Sequence, residues 1–420
     1  MRCERIALRG QPAAAAARLR ALVPPPESVS GEVGKIIARV RSGGDDAVLS
    51  YTRSLDTRGA EPGALRVTDE ELDEAADRLD PAVRRGLERA ILHVEAVARA
   101  RARGPEAAID LGSHIVHLSK VPVARAAVYV PGGRAPYPST MVMGVVPARV
   151  AGVGEILACT PPGPRGVDPV ILGAARLAGA SALYRMGGAQ AIAALAYGTE
   201  SVAAVDVIVG PGSLYVQEAK RQVFGRVGID GFAGPSDLLA IIGADADPGL
   251  QALDLLAQAE HGPGTLVVGV SDSTEVLDAL QAQLQDADDT GAVACLVEVF
   301  DLETALEFAE AFAPEHLQLA GEQIEALAPR ISRAGCVFVG EATGTAFGDY
   351  IAGSNHILPT AGAARFASGL SPEHFLRSVV EVRITDPDEL AREAAPVARA
   401  EGFELHARSM EARIRDNQPR

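Results

Sequence analysis

The 420-residue chain is 48% hydrophobic and 22% charged, the make-up of a globular protein with core enough for roughly two or three domains. A net charge of −16 repels nucleic acid and anionic membrane surfaces, and 4% aromatic residues with no Trp offer no base-stacking platform. Cys3, Cys159, Cys295 and Cys336 are scattered without CxxC spacing, so neither a disulfide framework nor a thiolate metal site is expected.

The start, "MRCERIALRGQPAAAAARLRAL", has no apolar core of secretory length, and no uncharged run is long enough to span a membrane; the expected compartment is the cytoplasm. Residues 1 to about 110 are helix-patterned and charged. In "TDEELDEAADRL", Thr68 as N-cap with Glu71 three residues on predicts a capping box. Runs ending in Gly or Pro then alternate with helical segments: "AAVYVPGG", "GEILACTP", "ALYRMGG" and "VDVIVGPG" read as strands. After "GFAGPSD" the rhythm repeats with "LLAIIGAD", "TLVVGVSD", "AVACLVEVF", "HLQLAG" and "GCVFVGE", between helices near 249–260, 273–286, 302–312 and 322–333. Continuous apolar strands separated by helices predict two α/β units, each a parallel sheet with helices on both faces. From about 371 the pattern becomes a charged helical tail with no sheet of its own to cover.

The turns "VPGGRAPYPST", "MGGAQAIA", "GPGSLYV" and "FAGPSD" sit at strand ends, where a doubly wound sheet binds ligands, although none matches GxGxxG. In "LLAQAEHGPG", Gln258 and His261 share a helix face, which suits either a helix C-terminus or a ligand pair; Glu260 is left to solvent. "APEHLQL" sets Glu315 beside His316 at a strand mouth, a polar strand end or an acid/base pair projecting to opposite faces. "GDYIAGSNHILPT" places Asp349 and His356 in a Gly-rich loop, and "AEGFELHARSMEAR" offers Glu401 and His406 in the tail. A carboxylate, two imidazoles and an amide oxygen make a nitrogen/oxygen donor set that suits zinc. His93, His114, His117 and His374 read as ordinary structural positions.

Taken together, "YVPGGRAPYPST", "VPARVAGV", "GGAQAIAALAYGTESV", "AGPSD", "LLAQAEHGP", "APEHL", "GDYIAGSNHILPT" and "AEG…HA" resemble the histidinol dehydrogenases from about residue 30 to 415. The resemblance implies two incomplete Rossmann-like doubly wound units of the aldehyde dehydrogenase/histidinol dehydrogenase type. Residues 1–22 would be an N-terminal helical segment. Residues 23–122 with 238–370 would form the first unit, 123–237 the second, NAD-binding unit, and 371–420 a dimer-crossing tail. It implies one zinc per subunit on Gln258, His261, Asp349 and His406, with these residues also lining the substrate site. Glu315 and His316 match the general acid/base pair; Ser236, His356 and Glu401 match substrate contacts; Tyr129 and Gln190 match cofactor contacts. Ser213 stands where the family usually has Asn, and can make fewer hydrogen bonds; Gly144 also replaces a more usual Asn.

The activity implied is the NAD-linked four-electron oxidation of L-histidinol to L-histidine in a homodimer with shared active sites, with neither nucleic acid nor membrane as partner. Two other readings stay open at this point. One is a zinc/NAD dehydrogenase acting on another polar alcohol. The other is a zinc hydrolase, which leaves the glycine turns without a use.

Overall fold

The computed structural model describes residues 1, 3–22, 29–102, 107–132, 135–231 and 235–415. Gly133 and Arg134 of "VPGGRAPYPST" and Phe232, Ala233 and Gly234 of "FAGPSD" lie outside the described residues. In chain order the elements begin β1 (Cys3–Ala7), α1 (Pro12–Arg20), α2 (Ser30–Tyr51), α3 (Asp69–Asp77), α4 (Pro81–Ala102), β2 (Ala107–Asp110) and β3 (His114–Pro122). Next come β4 (Arg125–Tyr129), α5 (Pro138–Ala151), β5 (Glu155–Thr160), α6 (Pro169–Ala178), β6 (Ala182–Arg185), α7 (Gly188–Tyr197), β7 (Val207–Val209), α8 (Leu214–Val223) and β8 (Gly228–Ile229). Then follow β9 (Asp237–Ile242), α9 (Pro248–Ala259), β10 (Leu266–Ser271), α10 (Thr274–Asp286), β11 (Val293–Glu298), α11 (Leu302–Phe312), β12 (His316–Ala320) and α12 (Glu322–Glu325). The chain closes with β13 (Cys336–Val339), α13 (Thr345–Tyr350), β14 (Leu376–Ile384), α14 (Asp388–Ala400) and α15 (Glu404–Glu411).

Two compact units emerge: Met1–Ala102 with Val123–Phe375, and Arg103–Pro122 with Leu376–Arg420. The larger holds two parallel sheets, one of order β6-β5-β4-β7-β8 and one of order β1-β11-β10-β9-β12-β13. Their strands are apolar throughout because helices cover both faces. Ala126 and Val128 enter one core while Ala127 and Tyr129 enter the core behind them; Leu239 and Ile241 likewise oppose Leu238, Ala240 and Ile242. This is the doubly wound parallel architecture that the alternation predicts.

Local chemistry explains several details. Thr68 and Glu71 form the predicted capping box, each accepting from the other's backbone N–H. The helix expected over 322–333 stops after one turn, and Pro329 leads only a short 3-10 turn at Ala328–Arg330. Gly144 lets α5 lie directly on β4, since a Cβ there would meet Val128 Cγ1 at 2.3 Å. Pro147, inside α5, has no N–H for the carbonyl of Met143; the side chain of Asn355 donates to that carbonyl at 2.7 Å.

Two strands join the helical termini without having been evident in the pattern. β1 pairs in parallel with β11 at the sheet edge. β14 opens the C-terminal tail and pairs antiparallel with β3, which also pairs with β2, giving the smaller unit a three-stranded sheet of order β14-β3-β2. In that unit α14 and α15 pack through Ala391, Ala395 and Ala407, and Arg399 pairs with Glu404 and Glu411. Val379, Val380, Val382, Ile384, Phe403 and Leu405 are exposed on it. Among the described residues, no helix is long and apolar enough to cross a membrane.

Candidate active site

β9 and β12 run side by side, and polar residues sit where both begin. The register sets His316 against Leu238, which brings Glu315 level with Asp237. Each takes the other's backbone: Asp237 N–H donates to Glu315 Oε2 at 3.0 Å, and Glu315 N–H donates to Asp237 Oδ1 at 2.7 Å. Ser236 adds a hydrogen bond to the Glu315 carboxylate. Burial pushes the Glu315 carboxyl up to about 7; the His316 charge pulls it down, the Asp237 charge pushes it up, and the bonds from Asp237 and Ser236 pull it down.

His316 is buried at the first position of β12. Its Nδ1 lies 3.4 Å from Asp237 O and 3.7 Å from Glu315 Oε2, while Nε2 lies 3.6 Å from Asp349 Oδ1. Burial works against its charge, but Glu315, Asp349 and Asp237 outweigh it and push the imidazole up to about 9. The expectation of opposite faces needs refining, since the carboxylate and the ring turn toward one another closely enough to titrate as a pair.

Asp349, on α13, completes this group. Burial alone would raise its carboxyl, yet hydrogen bonding to His316 and the electrostatic pull of the His316, His356 and His261 imidazoles hold it below the usual value. His356 donates from Nδ1 to the Asp349 carbonyl at 3.0 Å, which leaves Nε2 facing Thr140 Oγ1 at 3.0 Å. Burial pulls this imidazole down against the opposing pull of Asp349, favouring the neutral ring. Asn355 aligns the loop through Met143, and its Oδ1 accepts from Ile357 N–H at 2.8 Å.

α9 runs back toward the same end of the sheet. Gln258, in its last turn, is buried and its Nε2 has no hydrogen-bond partner. His261 follows just past the helix, exposed, with Nδ1 2.9 Å from Gln258 O; Glu260 points to solvent. Gly262, at φ 88°, turns the chain away. Gln258, His261 and Asp349 therefore offer an amide, an imidazole and a carboxylate, donors that suit zinc. A primary amide turned over would present oxygen where the orphaned Nε2 now stands, so the buried Gln258 fits a ligand role. Among the described residues no three His, Cys, Asp or Glu side chains form a ready metal cluster.

The cofactor candidates lie at the carboxyl ends of the five-stranded sheet. Tyr129, ending β4, accepts the N–H of Gly188 on its hydroxyl at 3.1 Å. Gln190 is fully buried in the first turn of α7; its Nε2 donates to Asp56 at 3.2 Å and its Oε1 has no partner. Ser213 is the exposed N-cap of α8, and its hydroxyl makes no cap bond. Lys220 and Asp230 clamp the intervening turn: Nζ donates to Gly210 O at 2.6 Å, and Gly210 N–H donates to Asp230 Oδ2 at 2.7 Å. Gly210 has φ 119°, and a Cβ there would stand 2.1 Å from Tyr129 O, so only glycine fits against Tyr129. An orphaned buried amide oxygen beside helix N-termini and glycine turns fits a dinucleotide's polar groups.

Glu401 and His406 belong to the smaller unit, at the C-cap of α14 and on α15; both are exposed, and the His406 ring lies 5.1 Å from that of Phe403. Sequence reasoning did not single out Arg20, Asp237, Thr140, Asn355 or Asp56. Only Asp237 carried a signal, because a charged residue opening a wholly apolar strand needs a buried partner.

Two doubly wound sheets, glycine turns at strand ends and a buried carboxyl–imidazole pair are the framework of an α/β enzyme. A family model described as histidinol dehydrogenase matches residues 25–414, so the chain belongs to the histidinol dehydrogenase family, oxidoreductases of histidine biosynthesis. It is 44% identical over 407 residues to a histidinol dehydrogenase of Parasynechococcus marenigrum, covering 92% of each chain. It is 42% identical over 402 residues to "Histidinol dehydrogenase 2" of a Nostoc species, again covering 92% of each. The crystal structure of histidinol dehydrogenase from Elizabethkingia anophelis is similar with a TM-score of 0.88 at 29% identity, covering 98% of this chain and 97% of that one.

Proposed function

We propose that the chain is a zinc-dependent, NAD-linked enzyme that converts L-histidinol to L-histidine, with Glu315 and His316 as its proton-transfer groups. The observation that carries this reading is the buried Glu315–His316 pair, 3.7 Å apart and bordered by Asp349 and His356. A hydrolase of the same donor set would have no use for the Tyr129, Gln190 and Ser213 turns.

Gln258, His261 and Asp349, with His406 from a second subunit, would hold zinc, which supplies Lewis-acid polarisation and an electrostatic grip on the substrate's amine and imidazole nitrogens. Tyr129, Gln190 and Ser213 would hold NAD, the hydride acceptor. Ser236, His356 and Glu401 bind and orient the substrate. Neutral His316 accepts the alcohol proton as hydride leaves the carbinol carbon, giving the aldehyde. Ionised Glu315 takes a proton from water as the water oxygen bonds to the aldehyde carbon, and protonated His316 returns its proton to the carbonyl oxygen, giving the hydrate and freeing His316 again. The hydrate loses a second hydride, and a proton to His316, to become the acid. One water and two NAD+ are consumed per alcohol.

The exposed apolar side chains of the smaller unit support a homodimer in which each tail completes the other subunit's site. The deciding experiment is stoichiometry: two NADH per L-histidinol consumed supports the reading. One NADH, or turnover of a different alcohol alone, overturns it.

A further inference from the structure

We propose that Arg20, at the end of α1, is a positioning residue for Glu315, acting through Asp237. This rests on the reading of Glu315 as the group that activates water. The family match begins at residue 25, so Arg20 lies upstream of it.

The guanidinium is committed to the protein interior. Its Nη1 donates to Asp237 Oδ2 at 2.9 Å; Nε and Nη2 donate to Phe312 O at 3.0 and 2.6 Å; Nη2 also reaches Ala313 O at 3.1 Å. It stacks 4.0 Å over the Phe312 ring. Ala313 ends α11 with φ 49°, and only Pro314 separates it from Glu315. Arg20 thus holds both approaches to Glu315: the backbone that leads into it, and the carboxylate that takes its N–H.

Asp237 is only 2% exposed in its side chain and lies against a second carboxyl group. Without Arg20 it becomes a buried anion stripped of its hydrogen-bonded cation, beside Glu315. It must then take a proton, turn away, or keep Glu315 protonated, and each outcome disturbs the Glu315 carboxylate. A lysine cannot replace the fork, because one ammonium does not span two carbonyls and a carboxylate in the same plane. Arg20 serves by holding Asp237 and the Phe312–Ala313 backbone, which makes it a positioning residue.

The test uses the full-length, zinc-loaded chain with L-histidinol and NAD+. Arg20→Met is expected to lower kcat about tenfold or more while KM for L-histidinol moves less than about twofold. Arg20→Lys should fall between it and the wild type. Arg20→Met/Asp237→Asn, which removes both charges, should regain much of the lost kcat. The coupling is also readable without turnover, because Arg20→Met should lower Tm less in a Glu315→Gln background than in the wild type. Unchanged kcat in Arg20→Met overturns the proposal. So do equal Tm losses in both backgrounds, which would make Arg20 an anchor for α1 and no more. Failure of the wild type to oxidise L-histidinol overturns the functional reading alone, since the Tm comparison still decides whether Arg20 acts on Glu315.

Discussion

Asn355 donates its side-chain amide to the Met143 carbonyl that Pro147 leaves without a helical partner. A proline in the middle of a buried helix normally costs stability, about 3 kcal/mol in an open helix. Here the vacated acceptor becomes the fixed point for the loop that carries His356. Asn355→Ala is expected to lose about 1–2 kcal/mol, the cost of leaving a buried carbonyl unpaired. Calorimetry should show that loss, and kcat should drop more than the loss of folded protein explains, because His356 is no longer held against Thr140.

Glu315 and His316 both need to be deprotonated to accept protons, and both are pushed up, to about 7 and about 9. The sign follows: activity is low at acid pH and rises with pH as each base is freed. The aldehyde half-reaction, assayed with L-histidinaldehyde, should rise through about pH 7, and the alcohol half-reaction should go on rising toward pH 9. A flat profile from pH 6 to 9 would remove both residues from these roles.

Glu315→Gln separates the two oxidations. Its amide can still take the Asp237 N–H, but it cannot deprotonate water. L-Histidinol should yield a first NADH while the second is slowed on the order of 10²–10⁴-fold. Rapid-quench analysis should find aldehyde retained on the enzyme.

The reach of the sequence is clearest in this region. The alternation of apolar strands and helices foretells both parallel sheets, and the polar residues in "APEHL" and "GDYIAGSNHILPT" do converge at one end of the six-stranded sheet. β1 and β14 were not legible. β1 is short and has its meaning only beside β11, and in "LRSVVEVRI" charges interrupt the apolar residues much as on a helix face. Arg20 in "AAAAARLR" looks like any basic helix end, because its partner Asp237 lies 217 residues away. Polar contacts between distant segments leave no periodic trace.

A mixture of His406→Asn and Glu315→Gln chains tests the crossing of the tail. If His406 serves the neighbouring subunit's site, mixed dimers carry one intact site, and up to about a quarter of wild-type activity should return on random exchange. Metal analysis of His406→Asn alone should show reduced zinc content.

Asp56 offers a prediction about stability. Burial raises its carboxyl to about 6, and the bonds from Gly187 and Gln190 only partly offset this. A raised carboxyl makes the ionised form a liability in the folded state. The penalty is absent below the unfolded value near 3.8 and complete above about 6. Asp56→Asn should therefore stabilise the protein at pH 8, on the order of 2 kcal/mol, and change little near pH 4. Melting curves at the two pH values decide it.

β1 does more than extend a sheet. It covers the long side of β11, whose core residues Ala294, Cys295, Leu296 and Val297 are fully buried. A chain trimmed to residue 25, where the family match starts, would leave that strand with a bare row of N–H and C=O groups flanked by apolar side chains. Such an edge invites pairing with another trimmed chain, whereas the edge that β1 itself presents is five residues long and carries Glu4 and Arg5.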